Sequence, residues 1–286
     1  ELGVPIFNCD SIQVYQRLDI GSAKPTRKER GLIPHLLFDF VPPHRTMTAG
    51  DYRREALHHL SEWAPKGPVI VVGGSGFYVQ ALQKGMYDAR ALSSEELISL
   101  TKDLEILGIE SLYRELKRID PEFAHRIAPT DSYRILRGLG VFRSQGKTMT
   151  QLEREFNEEK KKAFPYPFLN LALRLERDQL RQRLRKRSRA MVESGLIEEV
   201  ENLVAQDLSN WAPMNSVGYC EVQKFLKGEI GTKDQLVEAI TNSSMRLAKR
   251  QGTWFRREKD IHWFDRENEW ELAKSCCRTF LKGLKS

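Results

Sequence analysis

The sequence has no apolar run approaching the ~20 residues that a membrane-crossing helix needs, and no signal-peptide pattern is visible in it. Cysteine is scarce. Cys9, Cys220, Cys276 and Cys277 include no C-x-x-C pair and have no histidine at zinc spacing, which excludes a disulfide framework and a structural zinc site. His58 and His59 are adjacent, so they face different directions on a helix and cannot form an i, i+4 metal pair. The expectation is a cytoplasmic protein with reduced thiols, no membrane association and no metal held by a cluster of its own side chains. Internal repeats and low-complexity segments are also absent, leaving a globular chain of one large or two modest domains.

What is present is charge, with a basic excess. Charged residues make up 30% of the 286, and 46 Lys and Arg face 39 Asp and Glu for a formal net charge of +7. Much of the excess lies in runs such as Arg181 to Arg189, and a surface of this kind suits a polyanion, nucleic acid first. A basic run on a helix is also the ordinary make-up of a solvated face, so the partner has to be argued from motifs.

The stretch from Phe7 to Thr26 organises the rest. Val4-Pro5-Ile6-Phe7 is a buried-strand pattern that turns polar at Asn8-Cys9-Asp10-Ser11, placing a carboxylate and a hydroxyl at the strand's carboxyl end. In an open α/β sheet, ligands bind at that end. Asp19-Ile20-Gly21-Ser22-Ala23-Lys24-Pro25 follows as a small-residue turn with one cation, suited to close approach of an anionic group. For Asp10 alone, a polar strand end leading into a surface loop is an equal reading.

The chain then alternates between periods. Arg27 to Arg30 reads as helical, and His35 to Val41 as a second buried strand closed by Pro42-Pro43. Thr48-Ala49-Gly50-Asp51 has the form of a capping box opening a helix to about Trp63. Val69 to Val72 is a strand, and Gly73-Gly74-Ser75-Gly76-Phe77-Tyr78 a glycine turn into a helix start, where backbone amides favour anions. The alternative is a tight turn that needs glycine only for its geometry. Residues 93–147 are helix-rich, with a helix starting at Asp131 on which Arg134 and Arg137 share a face. Leu169 to Leu175 alternates as a strand, Asp178 is expected to cap a basic helix reaching Val204, Asp234 to Arg257 forms another long helix, and Ile261 to Asp265 a last strand. On the basic helix, Leu184 and Met191 set the buried face and leave most of the arginines to solvent or RNA. Trp254 and Phe255 fit either stacked bases or a core.

Several of these strings together are more specific than any one. Asp10-Ser11-Ile12-Gln13-Val14-Tyr15, followed by Asp19-Ile20-Gly21-Ser22-Ala23-Lys24-Pro25, closely resembles the signature of the tRNA dimethylallyltransferases, also called tRNA isopentenyltransferases. Gly73-Gly74-Ser75-Gly76-Phe77-Tyr78 is similar to the family's Gly-Gly-Thr-Gly-Leu-Tyr, Arg183 to Met191 to its R-I-x-x-R-x-x-x-M, and the stretch Arg246 to Arg256, from Leu247 on, to the L-A-K-R-Q-x-T-W-x-R of its R-x-L-A-K-R-Q-x-T-W-x-R. Val217-Gly218-Tyr219-Cys220-Glu221 matches an Ile-Gly-Tyr-Lys/Arg-Glu element, with Cys220 in place of the usual cation, and an ungapped reading puts Leu97 where many relatives carry an arginine.

The resemblance implies an α/β fold, a P-loop-kinase-like parallel sheet flanked by helices, with a helical insertion that clasps RNA. It implies transfer of a dimethylallyl group from dimethylallyl diphosphate to the exocyclic amine of the adenosine 3′-adjacent to the anticodon, in tRNAs reading codons that start with U. Mg²⁺ is the implied cofactor and the anticodon stem-loop of tRNA the implied partner, with the enzyme expected as a monomer. Asp10 is the candidate general base, Ser75 keeps a hydroxyl that contacts substrate, and Arg187 matches the arginine on the diphosphate, with Lys24 a second nominee. Carried over to tRNA binding are Asp10, Ser11, Ile12, Gln13, Ser75, Tyr133, Arg134, Arg137, Gly218, Tyr219, Arg246, Lys249, Arg250 and Gln251.

The family's phosphate-binding loop, Gly-x-Thr-x-x-Gly-Lys-Thr, does not occur in the sequence, and Glu1-Leu2-Gly3 reads as the end of a helix before a strand. The expectation is that a first strand, loop and helix are missing from the chain and that its sheet has an unpaired edge. Residues 1–92 are expected to begin the catalytic core, 93–165 to carry the mainly helical, tRNA-contacting region, and 166–286 to complete the core. The rival readings are an adenine-nucleotide prenyltransferase, a P-loop nucleotide kinase and a non-catalytic RNA-binding module.

Overall fold

The computed structural model describes residues 3–87, 89, 92–158 and 164–284, and the chain divides into two units. One comprises Glu1–Thr46, Glu55–Val79 and Tyr166–Ser286, the other Met47–Arg54 and Gln80–Pro165. In the first, β1 (Ile6–Asn8) lies parallel between β2 (His35–Leu36) and β3 (Ile70–Val72), with Phe7 opposite both Leu36 and Val71. A second parallel pair joins β4 (Asn170–Arg174) to β5 (Ile261–Asp265). Among the described residues β3 is paired along one edge only, and its Ile70, Val71 and Val72 are 39%, 39% and 52% exposed. β4 likewise leaves Leu171 and Leu173 exposed. The expected helix end at Glu1-Leu2 lies outside the described residues.

The expected strand from His35 to Val41 contracts to two residues. Leu37 and Asp39 have φ of +64° and +55°, which no strand admits, and the segment loops back until Val41 bridges Tyr15. Polar anchors hold this turn: Asn8 Nδ2 donates to the Leu37 carbonyl at 2.9 Å, and Asp39 accepts from Lys24 and Arg30. Thr26 and Glu29 form a reciprocal cap on the short α1 (Arg27–Arg30). Thr48 and Asp51 do the same for α2 (Ala49–Trp63), where the Asp51 amide donates to Thr48 Oγ1 at 3.1 Å. α3 (Gly76–Lys84) follows β3 across the glycine turn.

The second unit is helical. α4 (Ser94–Ile119), kinked at Gly108 with φ +73°, packs on α5 (Pro121–His125) and α6 (Ser132–Gln145), and α7 (Met149–Glu158) closes the group. Leu112, Leu116, Ile135 and Leu139 are its fully buried centre. Asp120 is buried there, and among the described residues no ion pair joins it. It accepts from the Phe123 and Thr150 amides and from Thr150 Oγ1, which ties α5 to α7.

The basic segment near the C-terminal half is two helices rather than one. α8 (Arg177–Glu193) is capped by Glu176, which accepts from the Asp178 and Gln179 amides, and not by Asp178. It stops at Ser194-Gly195, where Gly195 takes φ +101°, and α9 (Leu196–Val204) starts in a new direction. α10 (Tyr219–Leu226) and α11 (Lys233–Phe255) follow, and α11 packs along α8. Arg181 bonds Glu238 and Asn242, Arg185 lies 3.5 Å from Glu238, and Arg189 3.0 Å from Asp234. These arginines, expected to face solvent or RNA, are spent in part on the neighbouring helix. A last helix, α12 (Trp270–Gly283), follows β5 and was not anticipated from the sequence. Among the described residues no helix is long and apolar enough to cross a membrane.

Candidate active site

The polar end of β1 meets the turn after β3. The Ile12 and Gln13 amides donate to Asp10 Oδ1 at 2.8 and 3.2 Å, which fixes one carboxylate oxygen, while Oδ2 accepts no bond from the described residues. Ser75 Oγ accepts the Ser11 amide proton at 2.9 Å and donates to Ser11 Oγ at 3.1 Å. The structure therefore brings Asp10, Ser11, Ile12, Gln13 and Ser75 together from two strand ends. Arg187 of α8 is the cation of the group. It is open to water, yet enough protein surrounds it that desolvation lowers its guanidinium pKa, against an upward push from the Asp10 carboxylate. Among the described residues Arg187 has no ion-pair partner, so its guanidinium is available to an anion.

The glycine turn is shaped by protein as much as by any ligand. A Cβ on Gly73 would overlap the Cys9 carbonyl, on Gly74 the Gln251 amide and on Gly76 the Trp254 indole. Gln251 Nε2 donates to the Gly74 carbonyl at 3.1 Å, and the Trp254 ring lies 4.6 Å from that of Phe77. The end of α11 thus clamps the turn that carries Ser75, and Gln251 and Trp254 are used inside the protein.

The loop from Asp19 to Lys24 departs from its expected role. Lys24 is buried, and its ammonium bonds Asp19 at 3.0 Å, the Tyr15 carbonyl at 2.5 Å and Asp39. A cation so enclosed holds its own loop and does not reach a diphosphate. Gln13 Nε2 is likewise turned inward, donating to the Ser22 and Ala23 carbonyls at 2.9 and 3.3 Å. Tyr219 has no exposed surface and donates its hydroxyl to Glu199 at 2.6 Å, and the Gly218 amide donates to Glu221 at 2.7 Å. Gly218 and Tyr219 support the loop from beneath, so Tyr219 does not meet RNA in this structure.

The remaining nominees are surface groups. Tyr133 is 79% exposed on the first turn of α6, Arg134 pairs with Asp131, and Arg137 Nη2 donates to the Ala89 carbonyl at 2.9 Å. On α11, Arg246 donates to Ser243 Oγ at 2.6 Å. Lys249 and Arg250 have no acidic partner among the described residues and line a shallow 260 Å³ hollow with Thr253, Trp254 and Arg257. Leu97 is exposed on α4. Sequence reasoning missed Glu199, whose carboxylate accepts the Asp19, Ile20 and Gly21 amides at 3.2, 2.8 and 3.2 Å. Its neighbours Glu198 and Glu201 made it look like one more acid on a solvated helix face.

Comparison with known proteins follows the same residues. A family described as IPP transferase matches positions 13–258. The tRNA dimethylallyltransferase of Bdellovibrio bacteriovorus is 44% identical over 278 residues, covering 97% of this chain and 90% of that one. The tRNA dimethylallyltransferase 1 of Citrifermentans bemidjiense is 38% identical over 270 residues, 93% of this chain and 85% of that one. Among solved structures, a tRNA isopentenylpyrophosphate transferase from Staphylococcus epidermidis superposes with a TM-score of 0.66 at 30% identity, covering 100% of this chain and 92% of that one.

Proposed function

The chain belongs to the IPP transferase family, the tRNA dimethylallyltransferases, and we propose that it transfers a dimethylallyl group from dimethylallyl diphosphate to the exocyclic amine of the adenosine 3′-adjacent to the anticodon, in tRNAs reading U-starting codons. It is a transferase, and its P-loop-kinase-like α/β fold is shared with the isopentenyltransferase structures. The observation that carries the reaction is the meeting of Asp10, Ser11 and Ser75, with Arg187 near enough to feel the Asp10 charge.

An aromatic amine is a weak nucleophile because its lone pair is delocalised into the ring. A fixed carboxylate that takes its proton as the carbon–nitrogen bond forms raises the electron density at nitrogen. Asp10 suits this role, because two amides hold Oδ1 and leave Oδ2 with a constant aim. The Ser75 hydroxyl is set to contact the substrate beside it. The bond from carbon to the diphosphate oxygen breaks, and Arg187 meets the charge that develops on the leaving group. Mg²⁺, when bound, would neutralise further charge on that group. The Ser11 hydroxyl, beside Asp10, would be an oxygen donor to that ion. The target base must leave its stack, at a cost of a few kcal/mol. Lys249 and Arg250 on α11 and, in the helical unit, Tyr133, Arg134 and Arg137 are the groups to offset that cost by holding the RNA. The reading also carries a cytoplasmic monomer. Its test is Asp10→Asn, which should lose at least ~100-fold in turnover while tRNA affinity stays unchanged; undiminished turnover would remove Asp10 from catalysis.

A further inference from the structure

We propose that Glu199 is a positioning residue for this reaction: its carboxylate clamps the Asp19–Gly21 backbone and, through Gln13, sets the aim of Asp10. Three consecutive backbone amides converge on one side chain. Oε2 accepts from Asp19 and Ile20 at 3.2 and 2.8 Å, and Oε1 accepts from Gly21 at 3.2 Å and from the Tyr219 hydroxyl at 2.6 Å. Such a run of amides is an anion-binding concavity, and here a protein carboxylate fills it. The loop is therefore held by a charge on α9 and is not open to the diphosphate.

The fourth donor is built in as firmly as the first three. Tyr219 is fully buried, and burial followed by the Glu199 charge raises its phenol pKa, so the hydroxyl remains a donor throughout the physiological range. Its ring lies against Gly21, where an added Cβ would stand 2.5 Å away, so only glycine lets the two approach. From the clamp the connection to the reacting group is continuous. Ser22 and Ala23 carbonyls accept from Gln13 Nε2, and the Gln13 amide donates to Asp10 Oδ1. Lys24, bonded to Asp19 and to the Tyr15 carbonyl, braces the same loop from its far end. None of Glu199, Tyr219 and Gln13 needs to touch substrate for this to work.

The inference rests on Asp10 as the base, so the experiment separates the two claims. Glu199→Gln puts an amide N–H where an acceptor is needed and removes the charge. Hydrogen exchange at the Ile20 and Gly21 amides should quicken at least ~10-fold, and kcat for prenyl transfer should fall by roughly 10–100-fold, as a misplaced group costs. KM for tRNA should stay within about twofold. Tyr219→Phe, which keeps the ring on Gly21, should show the same pattern more weakly, and Glu201→Gln, on the exposed side of α9, should show none of it. Wild-type kcat and exchange in Glu199→Gln would overturn the proposal. So would a fall in kcat matched by equal losses in tRNA binding and melting temperature. If the unaltered enzyme transfers no prenyl group, the Asp10 reading fails on its own, while exchange at Ile20 and Gly21 still decides whether the clamp exists.

Discussion

Asp39 sits where two cations converge, and its behaviour with pH follows from them. Burial pushes its carboxyl upward, but the hydrogen bonds and charges of Lys24 and Arg30 outweigh that and hold it below the usual carboxylate range. A carboxyl lower in the folded than in the unfolded chain adds stability above its unfolded pKa of ~3.9, and that contribution is lost as pH falls through the lowered native value. Asp39→Asn should therefore lower the urea midpoint at pH 7 and narrow the gap between midpoints at pH 7 and pH 3; an unchanged gap would contradict the assignment. Lys24 is the other half of the same lesson. Its motif is legible in the sequence, but a cation that meets a ligand and a cation that meets Asp19 and Asp39 are spelled alike, and the partner is supplied only by the fold. Asp10 and Ser75 were legible because hydroxyl and carboxylate at two strand ends converge whenever those strands are neighbours, as β1 and β3 are.

Where elements begin and end, side-chain caps were the readable signal. Thr48 with Asp51 and Asp131 ahead of α6 stand where the sequence puts them, and the strand Ile261 to Asp265 keeps its bounds. The break between α8 and α9 was written in Ser194-Gly195, but the continuing apolar spacing from Met191 to Leu196 and Val200 masked it. That glycine carries a conformational load. A Cβ at Gly195 would meet only ordinary contacts, at 3.6 Å from Glu198 Oε2 and 3.7 Å from Ile20, so the cost of Gly195→Ala lies in its φ of +101°. About 1–2 kcal/mol of destabilisation is expected from the left-handed backbone, read as a lower urea midpoint with an unchanged m-value; a variant as stable as the parent would contradict the strained geometry. β2 was misjudged for the opposite reason: apolar content promised a strand, while Leu37 and Asp39 follow polar anchors into positive φ.

Across the molecule, the count of 46 Lys and Arg overstates how much cation is free, because Arg181, Arg185 and Arg189 are engaged by acids of α11. Lys249 and Arg250 near the end of that helix, with no acidic partner among the described residues, have counterions to release. Arg250→Ala should weaken tRNA binding at low salt and reduce the slope of log K against log salt by about one, and an unaltered slope would place the RNA elsewhere. Among the described residues β3 and β4 are each paired along one edge, and Val72 of β3 and Leu173 of β4 are exposed. The most direct test of the whole account is prenyl transfer from dimethylallyl diphosphate, with Mg²⁺, to unmodified tRNA by the protein, read by nucleoside mass spectrometry with free adenosine monophosphate as the competing acceptor. Dimethylallyl-adenosine confined to the position 3′-adjacent to the anticodon is the predicted result. Prenylated mononucleotide with untouched tRNA, or bound tRNA with no product, would contradict it.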